Sequence, residues 1–137
     1  MGADKQIELG TEPMVKFNAD GLAPTIVQDI DSGAVLMMAW MNEAALMRTL
    51  EIGKATFYSR SRKKMWVKGE SSGHVQEVVE VRVDCDQDTI LLRVKSHGPA
   101  CHVGYNTCFY RAFDEFGERL QFVEEKQFDP DKVYGEQ

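Results

Sequence analysis

The chain has 137 residues, the size of one domain with a real core, and 43% of them are hydrophobic. Its formal net charge of -6 argues against a dedicated nucleic-acid binder and against docking on an anionic membrane surface. No apolar run is long enough to span a bilayer, no basic stretch leads into a signal-like apolar segment, and Gln6 spoils a myristoylation reading of Met1-Gly2, so a cytoplasmic protein is expected.

Residues 1–13 are polar and unpatterned and are expected to be disordered, leaving 14–137 as a single domain with a short acidic C-terminal tail. Residues 25–30 and 34–41 are apolar or β-branched runs joined by Asp31-Ser32-Gly33, which predicts an antiparallel hairpin. Asn42 then suits an N-cap, Glu43 places an acid in the first turn, Leu46 and Leu50 supply an apolar face, and Gly53 stops the helix. Short strands are expected at 55–59 and 65–68, followed by a glycine-bounded loop. The run 74–85 alternates, with Val75, Val78, Val79, Val81 and Val83 marking it as strand, and 89–95 pairs with it across an aspartate-rich turn. Further strands at 108–113 and 120–123 complete an α+β fold, mainly antiparallel β with one helix and no repeat or linker.

The chemistry concentrates late in the chain. Cys85, Cys101 and Cys108 are its only cysteines, and Cys85 is interleaved with acids in Asp84-Cys85-Asp86-Gln87-Asp88. An odd count with no export signal fits a reducing compartment where thiols stay free. Three thiolates leave a tetrahedral zinc one ligand short, the vacancy a catalytic site uses for water. The carboxylates of Asp84, Asp86 and Asp88 are hard oxygen donors that select magnesium or calcium. If 84–88 is extended, the three aspartates share one face and Cys85 faces the other; a tight turn would break that alternation. Neither pattern is a strong signature: there is no paired CxxC, and an EF-hand glycine and glutamate are missing.

Arg60, Arg62, Lys63 and Lys64 are the densest positive charge in this acidic chain and stand beside Trp66. Guanidinium forks and an aromatic face suit a phosphate-bearing ligand, although the same residues also make an ordinary solvated hairpin tip. Ser72 and His74 lie in Gly69-Glu70-Ser71-Ser72-Gly73-His74, whose glycines permit close backbone approach. His102, adjacent to Cys101, is placed to take a proton from zinc-activated water or to shuttle it to a leaving nitrogen. His97 has no comparable neighbour.

Taken in order, Ala55-Thr56-Phe57-Tyr58-Ser59-Arg60-Ser61-Arg62, Trp66, Lys68-Gly69-Glu70-Ser71-Ser72-Gly73-His74, Asp84-Cys85-Asp86-Gln87-Asp88, Gly98-Pro99-Ala100-Cys101-His102 and Cys108-Phe109-Tyr110 resemble the phosphoribosyl-AMP cyclohydrolase family. The resemblance runs from about residue 21 to 113. It implies an intertwined homodimer with zinc on the three cysteines and magnesium on the three aspartates, one of each per subunit. Gln87 stands where the family commonly has glycine, which removes no ligand. The chain ends at Gln137, too soon for the phosphoribosyl-ATP pyrophosphatase domain fused to some relatives, so the monofunctional form is expected.

The implied reaction is hydrolytic opening of the adenine ring at N1–C6 of 1-(5-phosphoribosyl)-AMP in histidine biosynthesis. It needs a hydroxide at C6, which zinc generates near neutral pH, and His102 is the candidate base. Arg60, Arg62 and Lys63, with magnesium, are candidates to hold the two phosphates, beside Trp66, Ser72 and His74. A zinc nucleobase or nucleoside deaminase is the rival enzyme, but its H-x-E and P-C-x-x-C signatures are absent. A non-catalytic module with the cysteines as a structural zinc clip stays open, since His102 can close the fourth position. Thiol redox chemistry lacks its C-x-x-C.

Overall fold

A computed structural model describes residues 2–128. In chain order it contains α1 (Gly2–Leu9), β1 (Ala23–Asp29), β2 (Val35–Met41), α2 (Glu43–Ile52), β3 (Thr56–Ser59), β4 (Lys64–Val67), β5 (Gln76–Val83), β6 (Ile90–Ser96), β7 (Arg111–Phe113) and β8 (Leu120–Phe122). The mainly β, α+β reading holds. The acidic tail from residue 129 onward lies outside the described residues.

The main sheet has the order β2-β1-β6-β5. Its hairpins are the expected ones: β1 pairs with β2, Thr25 opposite Ala39, and β5 pairs with β6 across the aspartate turn, Val81 opposite Leu92. The two hairpins join through β1 and β6, which run parallel with Val27 opposite Leu92. The sheet is therefore mixed rather than wholly antiparallel. β3–β4 and β7–β8 form separate two-stranded ribbons.

One face of the sheet is packed. Ala23, Thr25 and Val27 of β1 and Ile90, Leu92 and Val94 of β6 alternate inward and are fully buried, as the period of a strand requires. Phe57 of β3 is also fully buried, which stabilises by about 1.5–3 kcal/mol, and its ring meets Trp66 at 5.1 Å. Asn42 caps α2 by accepting from Ala45 N at 2.8 Å, a contact that typically contributes about 1 kcal/mol, and Gly53 ends the helix at φ 70°. The helix buries Ala45, Leu46 and Thr49, while Leu50 is 56% exposed. Thr49 takes the inner place because its hydroxyl donates to Ala45 O at 2.9 Å and accepts from Thr56 N at 3.1 Å, tying helix to β3.

The N-terminal residues for which the sequence offered no pattern include α1. Gln87 links them to the body: its side-chain amide donates to Ile7 O at 3.0 Å and accepts from Met14 N at 2.8 Å. Among the described residues, no helix is long and apolar enough to cross a membrane.

Candidate active site

Residues 98–108 form a loop fastened to β2. Cys108 N donates to Leu36 O at 2.7 Å, and the Thr107 hydroxyl donates to Val35 O at 2.8 Å. The loop also closes on itself, with Ala100 N on Asn106 O and Cys101 N on Tyr105 O. That closure brings the buried Cys101 thiol against Cys108. Cys108 as a whole residue is exposed, yet burial first, then Cys101, push its thiol up to about 11. Cys108 is thus protonated at neutral pH, and a cation that takes it as a thiolate must displace the proton. His102 is exposed on the turn that Gly104 N closes by donating to Cys101 O at 3.0 Å.

Lys68, which follows β4, donates its ammonium to Ala100 O and lies beside both thiols. Burial lowers its pKa, and the charges of Cys108 and Cys101 partly restore it. A cation here favours the thiolate form of its neighbours. Nothing in the local sequence singles out Lys68, because the cysteines it faces are far along the chain.

Residues 84–88 are a tight turn rather than an extended segment, so the alternation argument does not apply. Asp84 N donates to Thr89 O at 3.1 Å, Gln87 N donates to Asp84 O at 3.0 Å, and Gln87 sits at φ 58°. The three aspartates converge nonetheless: one carboxylate oxygen from each of Asp84, Asp86 and Asp88 lies within 4.8 Å of the others, all on exposed residues. Slight desolvation opposes ionisation of Asp84, but amide donors from Thr89 and Asp88 outweigh it and hold its pKa below the usual value. Asp88 is pushed the other way, by its contacts with Asp86 and then Asp84. Among the described residues this is the one group of three acidic, histidine or cysteine ligand atoms close enough to share an ion. Cys85 is exposed on the same turn and belongs to no such group with Cys101 and Cys108.

The basic loop caps the β3–β4 hairpin, with Lys63 at φ 54° and Arg62 N donating to the Ser59 hydroxyl at 3.2 Å. Two open cavities flank the hairpin. One, about 510 Å³, is lined by Arg62, Trp66, Lys68 and Ser72 among others; the second, about 670 Å³, includes Trp40, Arg60 and Trp66. Arg60 stacks 4.9 Å over the Trp40 ring rather than over its sequence neighbour Trp66. Trp40 is a residue that the local pattern did not pick out.

His74 is held by its surroundings. Its backbone N donates to the Ser72 hydroxyl at 3.2 Å, and its ring meets Phe128 at 5.4 Å. A Cβ on Gly98 would lie 2.5 Å from the His74 ring, and one on Gly69 would lie 2.2 Å from the His74 carbonyl carbon. Both glycines also have positive φ, so this approach of loop to loop needs glycine twice. His97 pairs instead with Glu77, at 3.3 Å.

The family model for phosphoribosyl-AMP cyclohydrolase matches residues 37–110, a span that contains the basic loop, the aspartate turn and all three cysteines. The chain belongs to the phosphoribosyl-AMP cyclohydrolase family. Proteins named phosphoribosyl-AMP cyclohydrolase align along nearly its whole length. That of Chlorobaculum tepidum is 51% identical over 100% of this chain and 99% of its own. That of Chlorobium phaeovibrioides is 51% identical over 98% of both, and that of Pelotomaculum thermopropionicum 55% identical over 88% of this chain and 93% of its own. Membership in a cyclohydrolase family makes the chain an enzyme, and it directs attention to the thiol pair, the aspartate turn and the cavities beside the hairpin.

Proposed function

We propose that this chain hydrolyses the N1–C6 bond of 1-(5-phosphoribosyl)-AMP, the ring-opening step of histidine biosynthesis. The observation that carries the reading is the 51% identity to a phosphoribosyl-AMP cyclohydrolase over the full chain. The donor sets fit the two metals such a reaction would use. Cys101 and Cys108 are paired soft donors with a lysine ammonium beside them, suited to zinc. Asp84, Asp86 and Asp88 are converging hard donors whose mutual repulsion a divalent cation would relieve, suited to magnesium.

Zinc bound by thiolates would supply Lewis acidity and activate water near neutral pH. His102, exposed next to Cys101, takes the proton from the attacking water and returns it to the departing N1. Arg60, Arg62 and Lys63 neutralise the two phosphates, and Trp66, Ser72 and His74 shape the adjoining walls. Cys85 completes the thiolate set from a second copy of the chain, since within one chain it stands apart from the pair. A homodimer also gives cover to Phe109, Phe113, Phe116 and Phe122, an exposed apolar surface on and around β7–β8, where Phe116 is 75% exposed.

The direct test follows ultraviolet absorbance of phosphoribosyl-AMP with purified protein. Turnover should vanish with a chelator and return with added zinc and magnesium; a metal-loaded protein that leaves the substrate intact would overturn the reading. A base acts on rate rather than on metal retention. His102→Ala should therefore keep its zinc while kcat falls by roughly 10²-fold or more. An unchanged kcat would remove His102 from that role.

A further inference from the structure

Gln87 is the residue of the aspartate turn that carries no ligand, and it is the most heavily engaged. It is 5% exposed, although Asp84, Cys85, Asp86 and Asp88 around it are all exposed. Its backbone sits in the left-handed region at φ 58°, where a residue with a Cβ is uncommon unless its surroundings hold it. The side chain supplies that hold. Oε1 accepts from Met14 N at 2.8 Å, and Nε2 donates to Ile7 O at 3.0 Å and, at longer range, to Glu12 O at 3.5 Å. The backbone adds one more tie, Lys16 N donating to Gln87 O at 2.7 Å. A segment more than seventy positions away is thus fastened to the turn at four points through a single residue. It comes to lie beside Asp86, for Ile7, Glu8, Lys16 and Asp86 together line one small cavity of about 220 Å³.

We propose that Gln87 is a positioning residue for the hard-cation site, and that through it residues 7–16 are held as part of that site. The inference rests on the magnesium reading of the aspartates given above. An amide with both polar ends engaged fixes the turn in the conformation that converges the three carboxylates, so their geometry does not have to be assembled when the ion arrives. Coupling is reciprocal: if the fastened segment favours the cation, the cation must favour the fastened segment.

The test uses the full chain, with manganese as a paramagnetic probe of the site and hydrogen exchange as a probe of the segment. Gln87→Gly suits it because glycine accepts the left-handed backbone and removes only the amide. Free manganese measured by electron paramagnetic resonance should show Kd raised about tenfold or more, the usual scale for groups that orient metal ligands, with zinc content unchanged. Amides of residues 7–16 should exchange faster in the variant, and magnesium should slow them in the wild type only. Gln87→Asn tolerates the same backbone but is one methylene short, and it should shift both readouts in the same direction should the glycine variant fold poorly. Wild-type manganese affinity in a folded variant whose residues 7–16 exchange faster would overturn the inference, leaving Gln87 a purely structural clamp. Wild-type protein that binds no manganese, or Asp86→Asn that binds it as tightly, would instead overturn the magnesium reading beneath it.

Discussion

Cys108→Ser should leave the purified protein without zinc and with almost no turnover. Serine replaces a soft thiolate by a hydroxyl that does not ionise near neutral pH, so one of three proposed ligands is lost rather than weakened. Cys108 is also half of the thiol pair, and the Lys68 ammonium beside it would then face one sulfur in place of two. Activity should fall further than the roughly 10²- to 10⁴-fold that loss of an acid or base group costs, because the ion that activates water is gone. Zinc content by plasma emission and turnover by absorbance should fall together. A zinc-free Cys108→Ser protein with normal turnover would end the assignment of this thiol as a ligand. The same loading reaction in wild type should release protons, since Cys108 starts protonated, and a pH-indicator titration with zinc reads that release.

The features legible in the sequence are those whose cause is local. Helix α2 has its start and stop written as Asn42 and Gly53, and both act as caps. The β1–β2 and β5–β6 hairpins follow from alternating apolar runs separated by short turns. The parallel contact of β1 with β6 was not legible, because a strand's own pattern records that one face is buried and not which distant strand lies beside it. The expected helix face holds at Leu46 but not at Leu50. Leu50 is the more apolar residue, but Thr49 is buried because its hydroxyl satisfies the Thr56 amide, a partner that periodicity does not reveal. At the site, the aspartate triad and the cysteines stood out by composition, whereas Lys68 and Trp40 matter through contacts made across the fold. The aspartates do converge, though not for the reason alternation offered. The backbone reverses at Gln87 and the Asp84 carboxylate accepts from Asp88 N and Thr89 N, so turn geometry rather than strand period gathers them.

That turn changes the ground for expecting a site shared between two chains. An extended segment would have aimed Cys85 away from the aspartates; in the turn, its separation from the Cys101–Cys108 pair is the relevant fact. Two thiols are together and the third is exposed elsewhere, so under the proposed zinc reading a twofold mate would be the economical source of a third thiolate, each chain giving Cys85 to the other. Mixing two inactive homodimers tests this directly. Cys85→Ser and Cys101→Ser proteins, unfolded and refolded together in equal amounts with zinc, should regain activity. In a mixed dimer with shared sites, one site collects both substitutions and the other collects neither, so random pairing restores about one quarter of the wild-type sites. Wild type taken through the same cycle sets the yield, and each variant refolded alone sets the background. If every site were built within one chain, each would still lack a ligand after mixing, and activity would stay at background.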